Sequence, residues 1–206
     1  MVSSNALIIS CFASVLCGTS AFQPSHFHRR ISSPIPLYDS VSDANEHVSA
    51  NFPSCSDLLS KNADAMKSLN KSNEGFTIFA PNEAAFKALG DKKLGQLGDI
   101  RNVEVAEKIA AYHVIAEPVT AKEMFNSGGI ITSGGDVPIE RTVSGGVFGV
   151  GGKEDGGVKV NGAKVLNSFE FPDDNGRKCI VHEVDNFISP NILWRYADQL
   201  RIPGSN

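Results

Sequence analysis

Two histidines and their polar neighbours are the side chains whose types could support catalysis. His113 follows Tyr112, and His182 lies in "CIVHEVDNFI" with Asp185 three residues further on. A Ser-His-Asp site requires the histidine and the acid to converge, but residues three apart on one strand point to opposite faces. The sequence also contains no G-x-S-x-G motif. The spacing therefore argues against a hydrolase of this kind.

The same region contains residue types that could bind a metal ion. Cys179 and His182 would also point to opposite faces of a strand, and their spacing, even with His113 added, matches no zinc pattern. We predict no metal and no cofactor, and we predict that His113 and His182 are buried, hydrogen-bonded framework residues. The alternative hypothesis is a small-ligand binder or an enzyme that uses the His113/His182 region.

A glycine-rich run, "GGVFGVGGKEDGG" at residues 145–157, has the composition of a phosphate-binding loop but not its pattern. Val147 stands where the first glycine of such a loop is required, and Lys153 is followed by Glu154 in place of Ser or Thr. The run is instead predicted to be a flexible hairpin connection.

Composition limits the classes of partner. The chain has 206 residues, 41% of them hydrophobic, and a net charge of −4, which gives no reason to expect a nucleic-acid partner. Residues 1–38 carry +2 and contain no acid, whereas residues 39–206 hold 17 basic and 23 acidic residues, a net charge of −6. The two parts are predicted to have different roles.

The N-terminal part is predicted to be a targeting sequence. Residues 1–21 have the apolar run and small residues of a signal peptide, and residues 22–38 are Ser-rich, basic and acid-free like a transit peptide. The junction "SAFQP", with Phe22 after the predicted cleavage site, resembles the bipartite plastid presequence of algae with complex plastids. We expect import to the plastid stroma. The alternative is a secretory signal followed by a linker, and no transmembrane segment is predicted.

The cysteines indicate no disulfide scaffold. Cys55 and Cys179 remain after removal of the signal peptide and can form at most one bridge. Cys55 is expected to act as a small buried hydrophobic residue.

The remaining sequence predicts a series of short helices followed by strands. Residues 39–51 are predicted to be a linker. Helices are predicted over residues 54–69, with a break near Asn62, from Asn82 onward, over 103–114, and over 120–125 with a capping box at Thr120 and Glu123. A strand is predicted over 76–79, a hairpin around Asn161–Gly162, and a last strand within 179–188.

Three segments in this order resemble the signature segments of the fasciclin domain: "FTIFAPNEAAF", "AYHVI" and "IVHEVDNFISP". The resemblance covers residues 52–190. It implies an α+β fold, a fasciclin-like β-sandwich wedge flanked by helices, and a non-enzymatic protein that acts through protein contacts. The motif residues carried over are Thr77, Phe79, Ala80, Pro81, Asn82, Phe86, Tyr112, His113, His182, Val184 and Asp185.

The first segment departs from the family pattern at one place. Families of this type usually have a small hydroxyl residue and then Asn or Asp after the proline, where this chain has Asn82 and Glu83. Asn82 can still cap the following helix. The corner at Ala80–Pro81 is therefore predicted to be a joint of the fold, with core residues on both sides.

The C-terminal tail, residues 191–206, is predicted to contain a helix with Ile192, Leu193, Tyr196 and Leu200 at helical spacing. Trp194, Arg195 and Tyr196 are candidate partner contacts, because these residue types dominate protein interfaces. The alternative is a helix that packs only on its own domain.

These observations predict a single fasciclin-like domain that acts as a protein-interaction or adhesion module. In a plastid its partner would be another protein or complex, and outside the cell it would be a matrix or cell-surface protein.

Overall fold

The computed structural model describes residues 39–144 and 153–199, so the predicted targeting sequence, most of the glycine-rich run and Leu200 lie outside the described residues. The elements, in chain order, are α1 (Ser40–Asn51), α2 (Pro53–Ser60), α3 (Ala63–Asn70), β1 (Gly75–Pro81), α4 (Glu83–Gly98), a 3-10 turn (Ile100–Asn102), α5 (Val103–Tyr112), β2 (Val114–Ile115), α6 (Ala121–Asn126), β3 (Gly129–Thr132), β4 (Gly135–Ser144), β5 (Lys153–Val160), β6 (Ala163–Pro172), β7 (Lys178–Val184) and α7 (Asn191–Gln199).

The prediction of a linker over residues 39–51 is wrong, because this stretch forms α1. The side chain of Asp39 caps the helix by accepting a hydrogen bond from the Val41 backbone N–H at 3.3 Å. Val41, Ala44 and Val48 are buried. These three apolar residues were concealed by the mainly polar composition of the stretch.

Other helix boundaries follow from local capping and agree with the predictions. Asn62 separates α2 from α3, accepts from the Ala65 N–H at 3.0 Å, and donates to the Glu107 carbonyl at 3.0 Å. Thr120 and Glu123 form the predicted capping box at the start of α6. α4 continues to Gly98 past Gly90, whose φ of 76° interrupts the helical geometry.

The strands form one sheet in the order β2-β1-β7-β6-β5-β4-β3 among the described residues. β1 and β7 run parallel and pair Phe79 with His182, while the other neighbouring strands are antiparallel. The predicted hairpin joins β5 to β6, and Asn161 and Gly162 have φ of 48° and 83°, as its tight turn requires. A flexible connection was predicted over residues 145–157. Its last part, from Lys153 to Gly157, instead belongs to β5.

Two hydrophobic cores lie on opposite faces of the paired strands β1 and β7. The helical core contains Ile78 and Val181 and is covered by helices, including α1, α2, α5 and α7. The strand core contains Phe79 and Val184 and is closed by side chains of β4 and β5, because the sheet curls over its own face. This arrangement is the predicted α+β fold, a wedge of strands flanked by helices.

Candidate functional site

The strand-to-helix corner between β1 and α4 is built from the first signature segment. Phe79, Ala80 and Pro81 are buried, and Pro81 is the last residue of β1, where a residue without an N–H does not break the pairing. The Asn82 N–H donates to the Val184 carbonyl at 3.0 Å, and its side-chain oxygen accepts from the Ala85 N–H at 3.0 Å. The predicted cap is confirmed.

Four further contacts fix this corner. The Thr77 hydroxyl donates to the Glu117 carbonyl and accepts from the Val119 N–H, both at 2.8 Å, and so holds the loop that precedes α6. The Asn82 amide donates to the Glu183 carboxylate at 3.2 Å. Phe86 packs edge-on against Phe187, with ring centroids 4.9 Å apart. The corner is a joint between distant parts of the chain.

Glu83, the residue that departs from the family pattern, binds the start of another helix. Its carboxylate accepts from the Ser54 N–H at 3.2 Å and from the Ser54 hydroxyl at 2.8 Å. The residue before α2, Phe52, supplies no side-chain cap. Glu83 therefore caps α2 from the neighbouring helix, a contact that the sequence analysis did not identify.

His113 is fully buried at the C-terminal end of α5 and connects two segments of the fold. Its Nδ1–H donates to the Ile109 carbonyl at 2.8 Å, and its Nε2 accepts from the Ile188 N–H at 3.3 Å. These partners require the neutral ring, and burial lowers the pKa of His113 to about 4. The ring also packs edge-on against Phe187 at 5.4 Å.

His182 is buried between β7 and the loop before α6. Its Nε2–H donates to the Val119 carbonyl, and its Nδ1 accepts from the Ser168 hydroxyl, both at 2.8 Å. Its ring stacks on Phe79 at a centroid distance of 5.4 Å. Burial lowers the pKa of His182, which favours the neutral ring that this pair of contacts requires.

The polar neighbours of His182 have other partners. Asp185 is exposed and its carboxylate accepts from the Lys164 N–H at 2.7 Å. The Cys179 thiol lies 3.7 Å from the Ser40 hydroxyl, and burial raises its pKa. Cys55 and Cys179 are both free and buried. Within residues 39–144 and 153–199, no group of three or more His, Cys, Asp and Glu side chains is placed to hold a metal ion.

Tyr112, beside His113 in the second signature segment, packs against both cores. A Cβ atom at Gly134 would lie 2.5 Å from Tyr112 Cδ2, so the ring occupies space that only glycine leaves free. Tyr112 is thus a packing residue between the helical and strand halves.

The structure corrects the predicted contact set on α7. Trp194 is only 6% exposed and packs edge-on against Phe187 at 5.6 Å, with the Lys93 ammonium 5.3 Å from its ring centroid. The prediction that Trp194 contacts a partner is therefore wrong. The helix buries Leu193, Trp194 and Ala197, a face rotated from the predicted one, because the indole fits the helical core.

The opposite side of α7 is exposed and is here called the outer face of α7, formed by Ile192, Arg195 and Tyr196. Ile192 is 48% and Tyr196 is 52% exposed, and Arg195 is also exposed. Arg195 and Tyr196 remain predicted partner contacts. Ile192 was predicted to be on the buried side, and it joins this face because the helix is rotated.

A second exposed apolar segment was missed by the sequence analysis. Ile100 is 85% exposed and Val103 is also exposed. Hydrogen bonds connect this segment to α7: Gln96 donates to Asp198 at 2.7 Å, and Asn102 donates to the Gln96 carbonyl at 3.1 Å. The two apolar residues of "DIRNV", residues 99–103, gave no longer periodic pattern from which their exposure could be predicted.

The helices described here are short or polar, and none combines the length and apolar composition that crossing a bilayer requires.

Comparison with known proteins supports the predicted resemblance. A family model described as "Fasciclin domain" matches residues 50–190. Protein sll1483 of Synechocystis sp. (strain ATCC 27184 / PCC 6803 / Kazusa) is 33% identical over 131 residues, which are 63% of this chain and 63% of that protein, so the chain spans less than two thirds of that relative. A solved structure of a FAS1 domain pair from the insect cell adhesion molecule Fasciclin I is 17% identical with a TM-score of 0.45, over 66% of this chain and 44% of that chain. Since the family model covers more than half of the sequence, the chain belongs to the fasciclin domain family.

Proposed function

We propose that this fasciclin domain is a non-enzymatic protein-interaction module of the plastid that binds its protein partner through the outer face of α7. The fasciclin domain family is associated with cell adhesion and protein interaction. The proposal rests mainly on one observation: α7 is anchored by buried Leu193, Trp194 and Ala197 and presents Ile192, Arg195 and Tyr196 to solvent.

The composition of the outer face of α7 suits a protein partner. Tyr and Arg are enriched among the residues that contribute most to binding energy, and Ile192 adds apolar area beside them. The buried Trp194 fixes the helix on the domain, so the exposed side chains are presented on a rigid element. Ile100 and Val103 form a second exposed apolar segment, and the hydrogen bonds of Gln96 and Asn102 connect that segment to α7.

The non-enzymatic part of the proposal is supported by the two histidines. Both ring nitrogens of His113 and both of His182 have hydrogen-bond partners within the fold. Neither ring has a nitrogen available for a substrate or a metal ion. The pKa of each is lowered by burial, which is consistent with neutral framework residues.

The plastid location is supported by the targeting sequence, with its signal-peptide composition, the Phe22 junction and the basic, acid-free residues 22–38. In this compartment the partner would be another protein or complex. The alternative is a secreted chain that binds a matrix or cell-surface protein, and the outer face of α7 would serve equally in that setting.

The test is site-specific photo-crosslinking in the compartment where the protein is found. A photoreactive amino acid placed at Tyr196 is expected to capture a defined protein partner, and the same probe at Ile131, which is exposed on β3, is the matched control. With the identified partner purified, Tyr196→Ala should weaken binding by about tenfold or more, and Ile131→Ala should leave it unchanged. Equal capture at both positions, or an unchanged affinity for Tyr196→Ala, would contradict the proposal.

A further inference from the structure

A motif for covalent modification lies at the C-terminal end of α3. Asn70, Lys71 and Ser72 form an Asn-x-Ser sequence without proline at its centre, which is the acceptor pattern for N-linked glycosylation. No other asparagine of the sequence is followed two positions later by Ser or Thr. A motif of three residues needs a matching structural context, because a glycan requires an asparagine at the surface.

Asn70 lies in the turn that ends α3. The Ser72 N–H donates to the Leu69 carbonyl at 3.0 Å, and this bond encloses Asn70 and Lys71. Both enclosed residues are exposed. The Arg177 guanidinium donates to the Asn70 carbonyl at 2.8 Å and so fixes the backbone of the turn. The fold therefore presents the asparagine of the motif at the surface.

The Asn70 carboxamide keeps its nitrogen free for the modification. Its Oδ1 accepts from the Asn45 amide at 3.5 Å, while its Nδ2 donates no hydrogen bond to any of the described residues. N-linked glycosylation modifies Nδ2 and leaves Oδ1 as an acceptor. A glycan on Asn70 is therefore compatible with the folded domain.

Ser72, the hydroxyl residue of the motif, makes only long hydrogen bonds. Its hydroxyl accepts from the Gly75 N–H at 3.3 Å and donates to the Ala116 carbonyl at 3.4 Å. Both distances exceed the usual range for bonds of these types. We therefore expect that Ser72 can be replaced without unfolding the domain, which makes it useful for a test.

The predicted targeting sequence brings the chain to the compartment in which this modification takes place. Residues 1–21 are predicted to be a signal peptide, which directs a chain into the endoplasmic reticulum. The plastid and the secreted destinations both begin with this signal peptide. The inference thus rests on the signal-peptide part of the proposed function, and it depends neither on the final destination nor on the outer face of α7.

We propose that Asn70 is N-glycosylated in the endoplasmic reticulum. The Asn70 Nδ2 forms a bond to the anomeric carbon of an oligosaccharide, and the bond from that carbon to the diphosphate of its lipid-linked donor breaks. The lipid diphosphate leaves, and the carboxamide nitrogen releases one proton. The product carries a bulky, hydrophilic glycan at the end of α3.

The test is translation of the full chain with microsomes of the endoplasmic reticulum, which supply the transferase and the lipid-linked oligosaccharide. Loss of residues 1–21 reports entry of the chain. Digestion with an N-glycosidase in water enriched in heavy oxygen converts a glycosylated asparagine to a labelled aspartate, which mass spectrometry locates. We expect the shortened chain with the label at position 70. The same digestion of the mature protein isolated from cells should label the same position.

Four variants locate the modification. Asn70→Gln and Ser72→Ala should enter the microsomes and carry no glycan, because each destroys the motif. Ser72→Thr keeps a hydroxyl at the third position and should be glycosylated. Asn73→Gln removes a neighbouring exposed asparagine outside the motif. It is the matched control and should be glycosylated as fully as the natural chain.

The outcomes separate this proposal from the predicted targeting. A chain that loses residues 1–21 but carries no glycan would overturn the proposal and leave the signal peptide standing, as would an unlabelled position 70 in the mature protein. A glycan that persists in Asn70→Gln would also overturn it, because another residue would be the acceptor. A chain that keeps residues 1–21 and stays outside the microsomes would overturn both. Partner binding by the outer face of α7 is measured separately by photo-crosslinking.

Discussion

The Glu83 carboxylate receives two hydrogen bonds from Ser54, one from its backbone N–H at 3.2 Å and one from its hydroxyl at 2.8 Å. Both residues lie in the first turn of a helix, Glu83 in α4 and Ser54 in α2, and 29 positions of sequence separate them. One carboxylate thus caps α2 while it also stabilises the first turn of its own helix. Glu83, where this chain departs from the family pattern, therefore joins α2 to the corner between β1 and α4.

The Glu83–Ser54 contact predicts a stability loss that depends on side-chain length. Glu83→Ala should lower the free energy of unfolding by about 1–2 kcal/mol, as for a lost helix cap. Glu83→Asp keeps the charge at the start of α4 but shortens the reach to Ser54, so it should lose most of the same energy. Denaturant titration of both variants measures the effect.

A double-mutant cycle separates this contact from the effect of Glu83 on α4. Ser54→Ala and Glu83→Ala should show a coupling energy of about 0.5–1.5 kcal/mol. Strictly additive losses would mean that Glu83 acts only on its own helix.

His113 predicts a pH dependence of stability. The folded chain holds this pKa at about 4, whereas the reference value is 6.5. Between these values the unfolded state binds a proton that the folded state does not, so the free energy of unfolding should fall as the pH falls. Below about pH 4 both states are protonated and the contribution of His113 is lost, a total of about 3 kcal/mol.

His113→Gln is the variant that isolates this contribution. It should be less stable than the unmodified chain at pH 7, because Ile109 and Ile188 lose matched partners. The difference should shrink as the pH approaches 4, because the variant has no imidazole to protonate there. Denaturant titrations across this range test the prediction, and parallel stability profiles for the two proteins would contradict it.

His182 and Asp185 should respond differently to substitution, although they lie only three positions apart. His182→Ala would leave the Val119 carbonyl and the Ser168 hydroxyl without their partner. We expect a loss of at least about 1–3 kcal/mol in the free energy of unfolding. Asp185→Asn keeps an acceptor oxygen for the Lys164 N–H at an exposed position and should change stability by less than about 0.5 kcal/mol.

Metal content and turnover assays on the same proteins complete this comparison. A His182→Ala variant that stays fully stable but loses a bound metal ion or a measured activity would show that His182 is not a framework residue.

Local sequence was sufficient to predict the elements whose determinants lie within a few residues. The Asn161–Gly162 turn and the Thr120–Glu123 capping box are set by neighbouring residues, and both are present. The three signature segments predicted the fold because they occur in the family's order along the chain. Many of their residues are buried in the core of the structure. The burial of His113 and His182 follows from the same segments.

Contacts between distant segments could not be predicted in this way. Val119, the partner of His182, lies 63 positions away, and Glu83 is 29 positions from Ser54. The rotation of α7 depends on the fit of Trp194 against Phe187, which no periodicity in the helix itself reveals. Trp194 was therefore predicted on the wrong face of α7, while Arg195 and Tyr196 remain predicted partner contacts.

The last prediction concerns the predicted targeting sequence. If residues 1–38 direct import to a plastid, a fluorescent protein fused behind residues 1–40 should accumulate in that organelle, and the mature chain should begin between about Phe22 and Asp39. Phe22→Ala should stop the fusion before it enters, because the aromatic residue at the junction is the feature that distinguishes this presequence from a secretory signal. Phe27→Ala, a second aromatic in the basic segment, is the matched control and should still be imported. N-terminal sequencing of the purified protein measures the cleavage position. Secretion of the unmodified fusion into the medium would instead place the protein outside the cell, where the outer face of α7 would have to bind a matrix or cell-surface protein.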